Sequence, residues 1–361
     1  MSIDFFQISN PDKIDSPALI VDAERVQSNI NKMIAIVDGG TSRLRPHVKT
    51  HKMADVVAMQ VDLGITKYKT ATLAEAEMVA SAGGNEVLIA HQLVGPKIAR
   101  LRKLVQQYST VRFATIVDNL STARQLSDEF SQCDSELSVY IDVDCGMTRS
   151  GIPLGSQCEE LIQKIDFLDA IQFAGLHVYD GHLHQPSLEL RRRAACQIID
   201  QVREFTKLYP NCDVVGGGSP TFSTWATETQ WTCSPGTPVF WDVGYGSAYP
   251  DLDFDIAAAI LTRVISKPGN DLLCFDVGYK AVSSEMPLER RVVFPEIADA
   301  TLVSHSEEHL VIQTKHTASV GDAFLAFPQH ICPTVADHAA AHIVRWGNVT
   351  DEIWPVTARD R

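Results

Sequence analysis

The chain has 361 residues, of which 45% are hydrophobic, so it can bury a large core and is long for a single domain. Its formal net charge of −14 and isoelectric point near 5.3 argue against nucleic acid or an acidic membrane as a partner, because either polyanion would be repelled. We find no membrane-spanning run and no secretion signal, and the eight irregularly spaced cysteines indicate free thiols, so we expect a cytoplasmic protein.

Short strands alternate with helices as far as Tyr249. A first strand over 16–22 is followed by a helical pattern that ends at Gly39-Gly40. Later strands are predicted at 43–49, 67–72, 86–91, 112–117, 137–144, 172–179 and 213–215, with an eighth between Gln230 and Trp241, and a helical pattern follows most of them. Eight such repeats predict a (β/α)8 TIM-type barrel, whereas an open doubly wound sheet would have the same alternation with fewer repeats.

Beyond Tyr249 the alternation stops. Strands are predicted at 260–265, 272–277, 301–304, 310–313, 323–327 and 342–345, without a long helix between them. We therefore expect an α/β barrel over 26–248 followed by a smaller β-rich domain over 249–361. The N-terminal strand within 1–25 is expected to join the second domain, because the barrel already has its eight strands.

Lys49 is our candidate nucleophile. It ends the first predicted barrel strand, within the octet Arg45-Pro46-His47-Val48-Lys49-Thr50-His51-Lys52, and such barrels place their active sites at this end of the strands. A lysine that is partly desolvated and near other cationic groups can lose its proton near neutrality and attack an aldehyde, which is Schiff-base chemistry. The octet alone is equally consistent with solvated surface lysines at 49 and 52.

Polar residues also follow other predicted barrel strands at the same end. They are His91 and Gln92 after the third strand, the loop Asp144 to Gly151 after the fifth, and His177, Tyr179 and His182 at the end of the sixth. Each residue alone is weak evidence. Their coincidence at one barrel mouth predicts a single site.

The segment Gly216-Gly217-Gly218-Ser219-Pro220-Thr221 is the best candidate for binding a phosphate. Successive glycines allow backbone N–H groups to approach an anion, and hydroxyls and a helix start follow directly. The spacing of a nucleotide or dinucleotide loop is absent, which favours a single compact phosphate, while a tight turn is the structural alternative. A phosphate anchor together with a nucleophilic lysine suggests pyridoxal 5′-phosphate (PLP).

His330 and Cys332 form a candidate metal pair. Two residues apart on an extended segment, their side chains would project from the same face, and imidazole plus thiolate suits zinc. With only two protein ligands, water or substrate would complete the shell, as in catalytic sites. The pair alone also fits a structural role, and we interpret His338 and His342, one turn apart on a possible helix, as surface residues.

Several stretches together resemble the D-threonine aldolase and D-serine dehydratase family, alanine-racemase-like PLP enzymes of fold type III. They are 45–52, 144–151, Gly175 to His182, the triple glycine, Pro235 to Asp242, Ser306 to His309 and the His330/Cys332 pair. The resemblance implies a Schiff-base lysine at Lys49, Arg149 near the cofactor ring, Tyr179 against the pyridine face, and a homodimer. It further implies that Gly217, Gly218 and Ser219 hold the phosphate, and that His330 and Cys332 bind zinc or manganese. Many relatives carry tyrosine where this chain has Pro238, which leaves a hydroxyl contact to the phosphate open there.

The implied activity is that of a lyase on β-hydroxy-D-amino acids. If His182 or a metal-bound water takes the hydroxyl proton, glycine and an aldehyde form; if a base such as Lys49 takes the Cα proton, a keto acid and ammonia form. The Tyr179-x-x-His182 pattern resembles the aldolases, whereas cysteine as second ligand resembles the dehydratases. We favour the aldolase. A racemase and a non-catalytic PLP carrier are less favoured, because neither needs a Lewis acid.

Overall fold

The chain folds into two compact units in a computed structural model, described here for residues 3–133 and 135–361. The barrel unit contains Met33–Lys49 and Val57–Gly236. The β-rich unit contains residues 3–32, Thr50–Val56 and Thr237–Arg359. Over the described residues no helix is both long enough and apolar enough to cross a membrane.

Strands and helices alternate in the first two thirds of the chain, except that the second α-helix follows the first without a strand between them in the described residues. They are β1 (Ala18–Asp22), α1 (Ala23–Ile36), α2 (Ala54–Asp62), β2 (Lys67–Thr70), α3 (Leu73–Ser81), β3 (Glu86–Ile89), α4 (Pro96–Gln107), β4 (Arg112–Val117), α5 (Leu120–Phe130), β5 (Leu137–Val143), α6 (Ser156–Ile165), β6 (Ile171–Val178), α7 (Leu188–Thr206), β7 (Asp213–Gly216), α8 (Phe222–Glu228) and β8 (Thr232–Cys233). Side-chain caps start several helices, as where Thr72 accepts a hydrogen bond from the backbone N–H of Glu75 at the start of α3.

Strands β2 to β8 form one parallel sheet in sequence order, and the segment before Lys49 connects its two edges. On one side the N–H of Arg45 donates to the carbonyl of Cys233 at 2.9 Å; on the other the N–H of Val48 donates to the carbonyl of Lys69 at 3.0 Å. The predicted barrel class is confirmed. The predicted strand over 43–49, however, is reduced to isolated bridges, since Pro46 has no N–H to donate.

The remaining elements belong to the β-rich unit. They are α9 (Val243–Ala248), β9 (Ala258–Gly269), β10 (Leu272–Phe275), β11 (Val292–Val293), β12 (Thr301–His305), β13 (Leu310–Gln313), β14 (Ala323–Pro328), α10 (Ile331–Asp337), β15 (Ala340–Arg345) and β16 (Asn348–Pro355). The main sheet has the order β12-β13-β10-β9-β1-β15-β16. Strand β1 pairs antiparallel with β9 and parallel with β15, and all five of its residues are buried.

Two predictions for the C-terminal region were wrong. The helix proposed to carry both His338 and His342 does not form, because α10 ends at Asp337 and His342 lies in β15. His338 is also half-buried rather than a surface residue, and its ring donates to the carbonyl of Ala281 at 2.8 Å. The eight cysteines are all free, as predicted.

Candidate active site

A cavity of about 410 Å³ lies within the barrel unit, at the ends of strands β2 to β6. It is lined by His47, Lys49, Lys69, Ala71, Ala90, His91, Gln92, Ile116, Arg149, Ser150, His177 and Tyr179. These residues include two lysines, an arginine and three histidines but no carboxylate. The cavity therefore favours a ligand that carries negative charge.

Strand pairing brings Lys49 and Lys69 to the same wall. His47 pairs with Lys69 in a parallel bridge, and both residues line the cavity. Because side chains alternate along an extended chain, Lys49, two positions after His47, faces the cavity as well. Lys49 is exposed, whereas Lys69 is only 2% exposed. Burial, reinforced by the charge of Lys49, lowers the pKa of Lys69 to about 7.

The desolvated lysine of this cavity is thus Lys69, not Lys49 as the sequence led us to expect. Lys49 is instead the accessible amine. The sequence analysis did not single out Lys69, although a lysine at an inward position of a short barrel strand was a usable signal.

Two cations contact the ring of Tyr179. The Nζ atom of Lys69 lies 5.4 Å from the ring centroid, and Cζ of Arg149 lies 5.0 Å from it. Both distances are within the range in which a cation is attracted to an aromatic face. Arg149 and Tyr179 line the same cavity as Lys49.

A buried histidine–aspartate pair lies beside the cavity, and only its histidine, His177, lines it. Nδ1 of His177 donates to Asp142 at 2.8 Å, and the Ser150 hydroxyl donates to the other carboxylate oxygen at 2.9 Å. Although burial acts in the opposite direction, these hydrogen bonds hold the pKa of Asp142 below its usual value. Burial lowers the pKa of His177, and its Nε2 has no hydrogen-bond partner among the described residues.

The glycine loop is organised by Asp180, which the sequence analysis did not single out. This buried carboxylate accepts hydrogen bonds from the N–H of Gly218 at 2.7 Å, the Thr221 hydroxyl at 2.9 Å and the Trp225 indole at 2.8 Å. A Cβ atom on Gly217 would lie 2.9 Å from the Trp225 ring. Burial nevertheless raises the pKa of Asp180.

These contacts change how the predicted phosphate loop is understood. The N–H of Gly217 donates to the carbonyl of Val178 at 3.2 Å, so the N–H groups of Gly217 and Gly218 are both used within the fold. The hydroxyl of Ser219 accepts from the N–H of Gly236 at 3.3 Å. Gly216 and Gly217 are needed here for the close approach of Trp225. None of the three predicted phosphate-binding residues, Gly217, Gly218 and Ser219, lines the 410 Å³ cavity.

His182 lies against the loop that follows β5. A Cβ atom on Gly146, which has a φ of +117°, would lie 3.3 Å from His182 Nε2. The other ring nitrogen, Nδ1, is buried and has no hydrogen-bond partner among the described residues. His182 is not among the residues that line the cavity.

His330 and Cys332 lie at the start of α10 in the β-rich unit. His330 is the extended N-cap residue, while Cys332 lies in the first helical turn, so the expectation of a fully extended segment was wrong. Burial acts to lower the pKa of His330, but its interaction with the Cys332 thiol and nearby carboxylates raises it to about 9. The buried Asp242 fixes this turn by accepting a hydrogen bond from the N–H of Ile331 at 3.1 Å.

The pair fits a divalent metal. Nδ1 of His330 contacts the Glu285 carboxylate, and metal-ligating histidines characteristically donate their second nitrogen to such a group. Glu285 was not identified from the sequence. No cluster of three or more His, Cys, Asp or Glu side chains suited to a metal occurs within residues 3–133 and 135–361, so a metal here would keep coordination positions for other ligands.

Comparisons with known proteins identify the family of the chain. The family model of the alanine racemase N-terminal domain matches residues 21–240, and that of a serine dehydratase domain matches residues 257–344. A D-threonine aldolase from Arthrobacter sp is 28% identical over 359 residues, covering 96% of this chain and 93% of that protein. A 3-hydroxy-D-aspartate aldolase from Paracoccus denitrificans (strain Pd 1222) is 29% identical over 369 residues, covering 97% and 93%.

The fold is also that of a solved relative. The crystal structure of D-threonine aldolase from Filomicrobium marinum superposes with a TM-score of 0.88 at 26% identity and covers 99% of both chains. The first family model spans more than half of the chain, and the relatives match nearly its whole length. The chain therefore belongs to the alanine racemase N-terminal domain family, and its C-terminal part matches a serine dehydratase domain.

Proposed function

We propose that the protein is a PLP- and divalent-metal-dependent lyase that cleaves β-hydroxy-D-amino acids to glycine and an aldehyde. The observation that carries the proposal is the cavity in which an accessible lysine, Lys49, shares a cationic wall with Arg149 and the ring of Tyr179. Two relatives named as aldolases match nearly the full length of the chain, which supports the same reaction class.

When bound, PLP supplies an electron sink for the Cα atom of an amino acid. Lys49 would hold it covalently, because its amine is exposed within the cavity. Tyr179 offers a flat face to the pyridine ring, and Arg149 adds a positive charge beside it. Ser219 would bind the phosphate with its hydroxyl, in a loop to which Gly217 and Gly218 give room for close packing.

A zinc or manganese ion on His330 and Cys332 would supply a Lewis acid for the substrate's β-oxygen. Glu285 would orient the His330 ring so that Nε2 points to the metal. His182, which lies against the loop that follows β5, would accept the β-hydroxyl proton. Loss of that proton breaks the Cα–Cβ bond, and one proton returned to Cα completes glycine.

The second candidate is a D-serine or 3-hydroxy-D-amino acid dehydratase. Here Lys49 takes the Cα proton, hydroxide leaves Cβ, and a keto acid and ammonia are released. Cysteine as the second metal ligand and the serine dehydratase-type domain support this alternative. Racemization and non-catalytic PLP binding are less favoured, because they have no use for the metal pair.

We also propose that the barrel domain, 26–248, binds PLP and that the β-rich domain, 249–361, joined by the strand within 1–25, carries the metal. The protein would work as a homodimer in the cytoplasm on a small D-amino acid, without nucleic acid or membrane. Eight free cysteines suit a reducing compartment.

The test is a product assay. Purified protein is incubated with PLP and Mn²⁺ or Zn²⁺, and D-threonine and D-serine are supplied separately, with Lys49→Ala as the negative control. Glycine with acetaldehyde from D-threonine is the expected result. 2-Oxobutyrate or pyruvate with ammonia would identify the dehydratase, the L-enantiomer a racemase, and no turnover of either substrate would contradict the proposed lyase.

A further inference from the structure

The sulfur of Cys332 is held by a threonine hydroxyl. Oγ1 of Thr50 lies 3.1 Å from Cys332 Sγ, well inside hydrogen-bonding distance for sulfur, whereas Oγ1 of Thr237 lies 3.9 Å from it. Thr50 is fully buried, so water does not compete for its hydroxyl. The two residues are 282 positions apart in the chain, which makes this a contact created by the fold.

The backbone around Thr50 is fixed within the β-rich unit. The ring of the next residue, His51, is buried and hydrogen-bonds through Nδ1 with the backbone of Met53 at 3.1 Å. The carbonyl of Lys52 accepts a hydrogen bond from the N–H of Ala358 at 3.2 Å. These contacts anchor the segment that directly follows Thr50 and so restrict where its hydroxyl can lie.

The chemistry of the contact depends on the state of the sulfur. A thiol and a hydroxyl can each donate to the other, but a metal-ligating cysteine is a thiolate and has no proton to give. The hydroxyl of Thr50 must then be the donor. A hydrogen bond to a coordinating sulfur fixes its direction and reduces the negative charge that it gives to the metal.

We propose that Thr50 is a positioning residue for the metal pair: it donates its hydroxyl to the Cys332 thiolate and orients that sulfur towards the ion. This inference rests on the proposed metal role of His330 and Cys332. It gives a function to the threonine that directly follows Lys49 in the sequence, which was quoted only as part of a motif.

The experiment measures Co²⁺ binding to the purified protein through the thiolate-to-cobalt absorption band, with affinity obtained by competition against a chelator. Thr50→Val removes the hydroxyl and keeps the side-chain shape, while Thr50→Ser keeps the hydroxyl. We expect Thr50→Val to weaken binding about 10–100-fold and to shift the band, and Thr50→Ser to stay close to the parent protein. Thr50→Ala, which also lacks the hydroxyl, gives the same comparison if the valine variant does not fold.

The outcomes separate the two proposals. If the parent protein shows the thiolate band and both hydroxyl-free variants match its affinity and band position, the role of Thr50 is overturned while the metal site stands. Equal weakening of Co²⁺ binding in Thr50→Ser and Thr50→Val would also overturn the role of Thr50, because packing rather than the hydroxyl would then matter. If the parent protein shows no thiolate band with Co²⁺, the metal role itself fails, and the inference fails with it.

Discussion

At the scale of single residues, the cavity separates two lysines by their environment. Lys49 is exposed and available to an aldehyde, whereas Lys69 is buried behind it, over the ring of Tyr179. Burying an ammonium group without an ion-pair partner favours its neutral form. The pKa of Lys69 is accordingly lowered to about 7, and that shift has a consequence for stability.

Replacing Lys69 by methionine should stabilise the protein most at low pH. The unfolded chain keeps a proton on this lysine up to its ordinary pKa of 10.5, and the folded protein releases it near 7. The free energy of unfolding of the parent protein therefore carries a full penalty below pH 7, which disappears as the pH rises towards 10.5. We expect the free energy of unfolding of Lys69→Met to exceed that of the parent by a few kcal/mol at about pH 6 and by much less at about pH 9.5.

Urea denaturation at a series of pH values checks this prediction. Lys49→Met is the matched control, because it removes a lysine from the same cavity that is already exposed, and it should have little effect on stability at any pH. A stability difference for Lys69→Met that does not change with pH would contradict the burial argument.

At the scale of elements, the loop between β7 and α8 is shaped by packing. Gly217 has a φ of +79°, and Trp225, held by Asp180, occupies the space where a Cβ atom would point. Gly39 has nearly the same φ, +77°, but nothing within 4 Å of its Cβ position. Comparing substitutions at the two glycines therefore separates the cost of a side chain at positive φ from the cost of its contact with Trp225.

Gly217→Ala should destabilise the protein more than Gly39→Ala. Both substitutions put a side chain at positive φ, but only the first also forces Trp225 to move, which typically costs about 1–3 kcal/mol more. Chemical denaturation of both variants measures the difference. Equal losses of stability would mean that Trp225 yields without cost and that the glycine is required only for its backbone conformation.

The sequence was most informative where local pattern determines structure. Strands β4 (Arg112–Val117) and β13 (Leu310–Gln313) have the predicted bounds, because each is a short, mainly apolar run between polar residues. Helix α10 was missed, since seven residues including Pro333 show no such period. Its first turn is instead fixed by the distant Asp242, which no local pattern reveals.

The same distinction applies to the site. Lys49, Arg149 and Tyr179 could be found because each follows a predicted strand or lies in a recognisable motif. Glu285 and Asp142 act through partners 45 and 35 residues away, respectively, so their roles depended on a fold that had not yet been seen. Lys69 differs from Lys49 in its burial. The sequence alone does not show which lysine is buried.

At the scale of the whole molecule, cofactor binding and metal binding should be separable. Lys49 and the 410 Å³ cavity belong to the barrel unit, and His330 and Cys332 belong to the β-rich unit. Dialysis against a chelator should therefore abolish turnover of D-threonine while the visible absorption of lysine-bound PLP remains. Adding Mn²⁺ or Zn²⁺ should restore turnover of the parent protein. The same addition should not restore turnover of the Cys332→Ala variant after its dialysis against the chelator. Unchanged turnover after complete removal of the metal would contradict its role.

The most direct test of the account is to locate PLP on the chain. Protein incubated with PLP is reduced with borohydride, digested, and mapped by mass spectrometry for the added pyridoxyl group. The account predicts the modification on Lys49 and its loss in Lys49→Ala, with Lys69 unmodified although it faces the same cavity. A pyridoxyl group on Lys69 or on any other lysine of the parent protein, with Lys49 unmodified, would contradict it.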